Sequence, residues 1–193
     1  MNKWTLLYNP FTCIAGWKAL VWGFVGIVVS VVMAWQIGLH YHGLLHYGGA
    51  SNNAWWCYAA EHLIVWLIPT LLFYLGGVLF SHSHIRLIDV LGTVAFAQLP
   101  FVIMNLFFLP SAAQYFLHVP LEITMEWLSS PMLLKAILWV MPSLIFMVWV
   151  MILMFWALKV SCNLKGARLG WIYAVSVIGG DILCRYLIGW MYN

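Results

Sequence analysis

Charge is what this 193-residue sequence has least of: 7% of its residues are Asp, Glu, Lys or Arg, while 65% are hydrophobic. A soluble domain carries roughly 25% charged residues, so the shortage excludes a solvated globule and points to a polytopic membrane protein. The net charge of +3 is small and dispersed, which argues against nucleic acid as a partner. Cysteine is equally uninformative in pattern. Cys13, Cys57, Cys162 and Cys184 have no C-x-x-C spacing and read as unpaired small apolar residues. The N-terminus lacks a continuous apolar h-region, and no small-x-small cleavage site follows the first apolar run, which is expected to stay as a span. Also missing are a G-x-S-x-G elbow, an H-E-x-x-H helix, a P-loop and a dinucleotide fingerprint, so no enzyme chemistry is indicated and no cofactor is expected. No internal repeat or linker divides the chain, which reads as one domain.

What is present is apolar length. Five runs suit membrane helices: 19–39, 55–80, 88–109, 132–158 and 169–192, each long enough to cross a bilayer. Thirteen Trp and nine Tyr fit aromatic belts at two interfaces. Asn9-Pro10 marks a helix start, and 11–18 suits a short helix lying at the interface. Pro69, Pro100 and Pro142 fall near the centres of three successive spans, tolerable only where neighbours re-satisfy the freed carbonyls. The expected fold is therefore all-α, with five transmembrane helices. Lys3, Lys18, Arg86, Lys159, Lys165 and Arg168 collect on one side, so the N-terminus is expected in the cytoplasm and the C-terminus outside.

A few polar residues interrupt these runs. In the last span Asp181 and Arg185 lie four apart on one helix face, in the favourable acid-first order. They serve either to neutralise each other and fix packing or to mark a functional site. Asp181 is about 16 Å beyond Gly170 at about 1.5 Å per residue, and Glu61 is about 9 Å in from Trp55. Gln98 matches Asp181 in depth. These spacings predict a polar layer of Glu61, His62, Asp181, Arg185 and Gln98 inside the bundle. Asp89, just after Arg86, suits a helix N-terminus, and Glu122 and Glu126 suit a solvated face of an interfacial helix.

Histidines suggest a second constellation. His40, His42 and His46 follow the first span, and Glu61-His62 opens the second, so all five side chains can meet at one surface. Imidazole and carboxylate suit a zinc-like divalent transition metal, although the spacing matches no defined motif and polar loops collect histidine without binding anything. A haem needs an axial histidine within a span; only His62 qualifies, and it has no partner at its level.

Three stretches carry a family likeness along essentially the whole chain: Asn9-Pro10-Phe11 followed by Ile14-Ala15-Gly16-Trp17-Lys18-Ala19-Leu20; Ile85-Arg86-Leu87-Ile88-Asp89-Val90 running into Gly92-Thr93 and Ala97-Gln98-Leu99-Pro100; and Val160-Ser161-Cys162-Asn163-Leu164-Lys165-Gly166. In order and spacing they resemble bacterial members of the Yip (Ypt-interacting protein) domain family of five-span membrane proteins. The resemblance implies a multi-pass protein of a bacterial inner membrane, with other membrane proteins or further copies of itself as partners. Eukaryotic relatives act in membrane traffic and contact prenylated Rab-type GTPases, a class bacteria are not expected to supply. The chain departs from the pattern at Gln98, where a basic residue is expected, at Asp181, where Glu is usual, and at His42 and His46, where acids are commoner. From residues and resemblance together, the expected function is that of a membrane-organising or adaptor protein with the charged layer as glue. The alternatives are a small transporter, channel or lipid-moving protein using Glu61, Asp181 and Arg185, and a metal-binding membrane protein using the histidines.

Overall fold

A computed structural model describes residues 5–50, 54–117 and 124–192. Five helices are long and apolar enough to cross a membrane, so the chain is an all-α, multi-pass integral membrane protein. The first span is α2 (Gly16–Ile37) and the second α3 (Trp55–Phe80). The third is split into α4 (Leu87–Ala97) and α5 (Pro100–Leu106), and the fourth into α8 (Pro131–Val140) and α9 (Ser143–Ser161). The fifth is α10 (Gly166–Tyr192). Mean hydropathy over these windows runs from 1.4 to 2.4. Side chains on the outward faces, among them Trp17, Trp22, Trp171 and Trp190, are exposed and apolar. A bilayer covers such surface at no cost, whereas water would not.

Short helices occupy the ends. The N-terminal interfacial helix expected over 11–18 is instead α1 (Thr5–Tyr8), followed by a 3-10 turn at Pro10–Thr12. Gly16, at φ +58°, then turns the chain into α2. On the opposite end lie α6 (Ser111–Gln114) and α7 (Met125–Leu128). Glu126 is exposed on α7, and Glu122 lies outside the described residues.

The third span is the hub: 56% of its window is buried, against 28–39% for the other four. Its closest neighbour is α2, and small residues explain why. A Cβ on Gly23 would come within 2.5 Å of the Ala95 backbone, and one on Gly92 within 2.5 Å of the Gly16 carbonyl oxygen. Without a hydrophobic drive between helices in lipid, such close backbone approach is what dispersion and packing require. By contrast, α10 packs chiefly on α3 and sits at the periphery.

The three span prolines behave differently. Pro100 and Pro142 end one helix and start another. Pro69 stays inside a continuous α3, where its ring removes the bond that would satisfy the Val65 carbonyl, four residues back. The side-chain amide of Gln98 donates to that carbonyl at 3.0 Å. Gln98, buried at the α4–α5 break, therefore repairs a proline gap in the neighbouring helix.

Candidate functional site

The segment between α2 and α3 is not a surface loop. Gly38, at φ +78°, ends α2 and sends the chain back into the bundle as a small antiparallel hairpin, β1 (His40–Tyr41) and β2 (Tyr47–Gly48). Leu39, His40, Tyr41 and Leu44 are fully or nearly fully buried there. Non-helical backbone at that depth is tolerated only where protein satisfies its polar groups. An unpaired buried N–H costs about 1–3 kcal/mol.

The two span acids meet that demand. Glu61 is fully buried and accepts from the Tyr41 N–H at 2.9 Å through Oε2. Its Oε1 accepts from His40 Nδ1 at 2.8 Å and from the Tyr192 hydroxyl at the end of α10. Asp181, 6% exposed, accepts from the Leu45 N–H at 2.8 Å through Oδ1, and His46 Nδ1 lies 3.0 Å from its Oδ2. The hairpin closes on itself through Gly43 N–H to the His46 carbonyl at 3.1 Å. A Cβ at Gly43 would stand 2.6 Å from Asp181 Oδ1, so only glycine lets the hairpin rest on the acid.

A second chain of bonds runs beneath. The Tyr41 hydroxyl donates to Asn105 Oδ1 at 2.6 Å, and Asn105 Nδ2 donates to Ser30 Oγ at 3.0 Å. His62 Nδ1 faces the Tyr58 carbonyl at 2.8 Å, which makes Nδ1 the protonated nitrogen, so the Ser30 hydroxyl donates to Nε2 at 2.9 Å. Every donor has an acceptor, and α2, α3, α5 and the hairpin are tied together. Tyr47 adds a link to Ser143 at 3.0 Å, at the α8–α9 break.

Electrostatics follow burial. Desolvation pushes the Tyr41 hydroxyl well above the usual tyrosine range. It also lowers His42 below the ordinary imidazole value, despite the opposing pull of the Glu61 carboxylate and the Gly49 carbonyl, which lies 3.3 Å from His42 Nε2. Both groups stay neutral near pH 7. His40 stacks on Tyr58 with ring centroids 4.1 Å apart. Its Nε2 is buried without a hydrogen-bond partner among the described residues.

Of the residues expected to form one polar layer, Glu61, His62, Gln98 and Asp181 are buried and Arg185 is exposed. Arg185 makes no ion pair with Asp181 or Glu61; the only carboxylate–cation contacts among the described residues are His40–Glu61, His46–Asp181 and Arg86–Asp89. The helical i, i+4 partner is thus displaced by a loop backbone N–H and an imidazole. The reason is that the hairpin seats itself over the acid, with Gly43 against both the Asp181 carboxylate and the Arg185 methylenes. Of the five candidate metal ligands only His40 and Glu61 bond to each other; the rest take partners outside the set. His40 goes to Glu61, His42 to Gly49, His46 to Asp181 and His62 to Ser30 and Tyr58. Among the described residues, no group of three or more His, Cys, Asp or Glu is arranged to hold a metal ion.

Sequence reasoning passed over Ser30, Tyr41, Tyr192 and the Leu45 backbone. Ser30 carries a signal, being a polar residue within an apolar span like Asn105. Tyr192 looks like any interfacial aromatic. No protein-family model matches the chain, and neither does any curated protein or solved structure.

Proposed function

We propose that this integral membrane protein is a membrane organiser or adaptor of Yip-like type, acting through its fixed shape and its contacts with lipid and other membrane proteins. Its basic end, with Lys18, Arg86, Lys159, Lys165 and Arg168, faces the cytoplasm in this reading. The observation that carries it is that both span acids are taken up by backbone N–H groups of one hairpin. A transport path needs carboxylates that can exchange partners with a cargo; Glu61 and Asp181 are buried and already bonded to the hairpin. Short helices with exposed apolar side chains, Leu6 and Leu7 on α1 and Met125 and Leu128 on α7, supply wedges at the two faces.

A second reading, a proton- or solute-moving protein, is favoured by one atom, the unpartnered Nε2 of His40, whose Nδ1 contacts Glu61 and Tyr192. Reconstitution separates the two. With a pH-sensitive dye inside proteoliposomes and an imposed potential, the organiser passes no more protons or solute than empty vesicles. Vesicle diameter changes with protein-to-lipid ratio. A flux that Glu61→Gln abolishes, with vesicle diameter unchanged, would transfer the assignment to transport.

A further inference from the structure

Away from the hairpin, α10 and α3 enclose an apolar groove of about 530 Å³, lined by Leu72, Gly76, Ile172, Val175, Gly179 and Leu183. That volume lies within the roughly 300–1,000 Å³ of small-molecule sites. The groove opens sideways on the surface that faces lipid, because α10 has few neighbours other than α3. At the basic end it reaches Phe80 and Arg168. The same two residues border a smaller pocket of about 250 Å³ that also includes Ser83, Asn163 and Lys165. Asn163 Nδ2 donates to Ser83 Oγ at 2.9 Å, which holds the two connecting loops together and leaves the Ser83 hydroxyl its own proton to donate.

Charge in this pocket is one-sided. Lys165 and Arg168 are exposed and have no carboxylate partner among the described residues. The described acids are engaged elsewhere: Glu61 and Asp181 with the hairpin, Asp89 with Arg86, and Glu126 on α7 at the opposite end. Two cations and hydroxyl and amide groups thus sit at the head of an apolar slot, at the level where a bilayer passes from hydrocarbon to headgroups.

We propose that this paired groove and pocket bind an anionic phospholipid, an acyl chain lying between α3 and α10 and the phosphate between Lys165 and Arg168. A zwitterionic headgroup is disfavoured because no acid is placed to meet its ammonium. The proposal is independent of the organiser reading, since it concerns neither the hairpin nor vesicle shape.

The test uses the full chain in detergent, mixed with dioleoylphosphatidylglycerol or dioleoylphosphatidylcholine, with bound lipid counted by native mass spectrometry. The wild type retains the anionic lipid in preference. Lys165→Gln and Arg168→Gln each weaken that retention about fivefold, the effect of roughly one interfacial cation. Gly179→Leu places a side chain in the slot at a position where an added Cβ meets nothing within 4 Å, and lowers retention of both lipids. Melting temperatures in lipid-free detergent stay unchanged for all three variants, so lost binding is not lost folding. Equal retention of the two lipids by the wild type, or a preference that survives both charge variants, overturns the proposal. So does a dimer that Gly179→Leu dissociates without changing lipid counts, which would assign the groove to a second copy. Loss of the bound anionic lipid when inorganic phosphate is added at the same concentration overturns it as well.

Discussion

At the end where α2 turns into the hairpin, the Glu61 and Asp181 carboxylates, the His46 and His62 imidazoles and the Ser30 and Asn105 side chains all meet protein partners. At the opposite end, Lys165 and Arg168 have no carboxylate partner among the described residues, and the helices beside them part into an open groove. Both ends belong to the same apolar bundle, so composition does not separate them. The difference lies in the backbone. A hairpin folded into the bundle brings unpaired N–H groups to a depth without water, and acids are placed to receive them. The short connections at the basic end stay at the surface, with His82, Ser83, His84, Asn163 and Lys165 exposed, so their polar groups do not need partners from within the bundle.

The largest test of that contrast is Glu61→Ala. It strips acceptors from the Tyr41 N–H, His40 and Tyr192 together, and is expected to cost about 3–5 kcal/mol, as when one partner of a buried charged network is removed. Thermal melting in detergent would read it, and a variant that melts like the wild type would break the idea that the acid holds the hairpin. Asp181→Asn is milder, because an amide oxygen still accepts from the Leu45 N–H.

Next in size is Gln98→Leu, expected to cost about 1–3 kcal/mol by orphaning the Val65 carbonyl. In a Pro69→Ala background the restored N–H serves that carbonyl, and the same substitution should cost much less. Equal costs in both backgrounds would remove Gln98 from the proline repair.

A pH effect follows from His42. Burial lowers its folded value below the ordinary imidazole value of 6.5, so as pH falls through 6.5 the unfolded chain takes up a proton that the folded protein resists. Stability contributed by the neutral imidazole is therefore present above about pH 6.5 and declines below it. Melting measured down the acid side should show a slope that His42→Gln reduces. Smallest of all, Lys165→Gln and Arg168→Gln should move stability by no more than about 0.5 kcal/mol, as exposed substitutions do. A larger loss at that end would erase the contrast.

The five spans were legible because apolar length is a local property. The second span was expected over 55–80, and α3 occupies those residues; the other spans differ by up to three residues at their ends. Helix breaks at Gln98-Leu99 and Met141-Pro142 were foreshadowed by proline. Partners were not legible. Asp181 and Arg185 satisfy every local rule for a helical pair, yet the acid bonds to residues 135 and 136 positions away. His40, His42 and His46, close in sequence, take three different partners: His40 and His42, two apart in the chain, keep their rings stacked 6.2 Å apart but bond to Glu61 and to the Gly49 carbonyl, while the turn carries His46 to Asp181.

By itself the sequence determined that the chain lies in a membrane, how many times it crosses, and that Glu61 and Asp181 need partners, since hydrophobic length and the cost of burying charge do not depend on what lies nearby. Only the tertiary structure decided which partners those acids take. The loop after α2 folds inward rather than outward, and its backbone N–H groups reach the carboxylates from across the bundle.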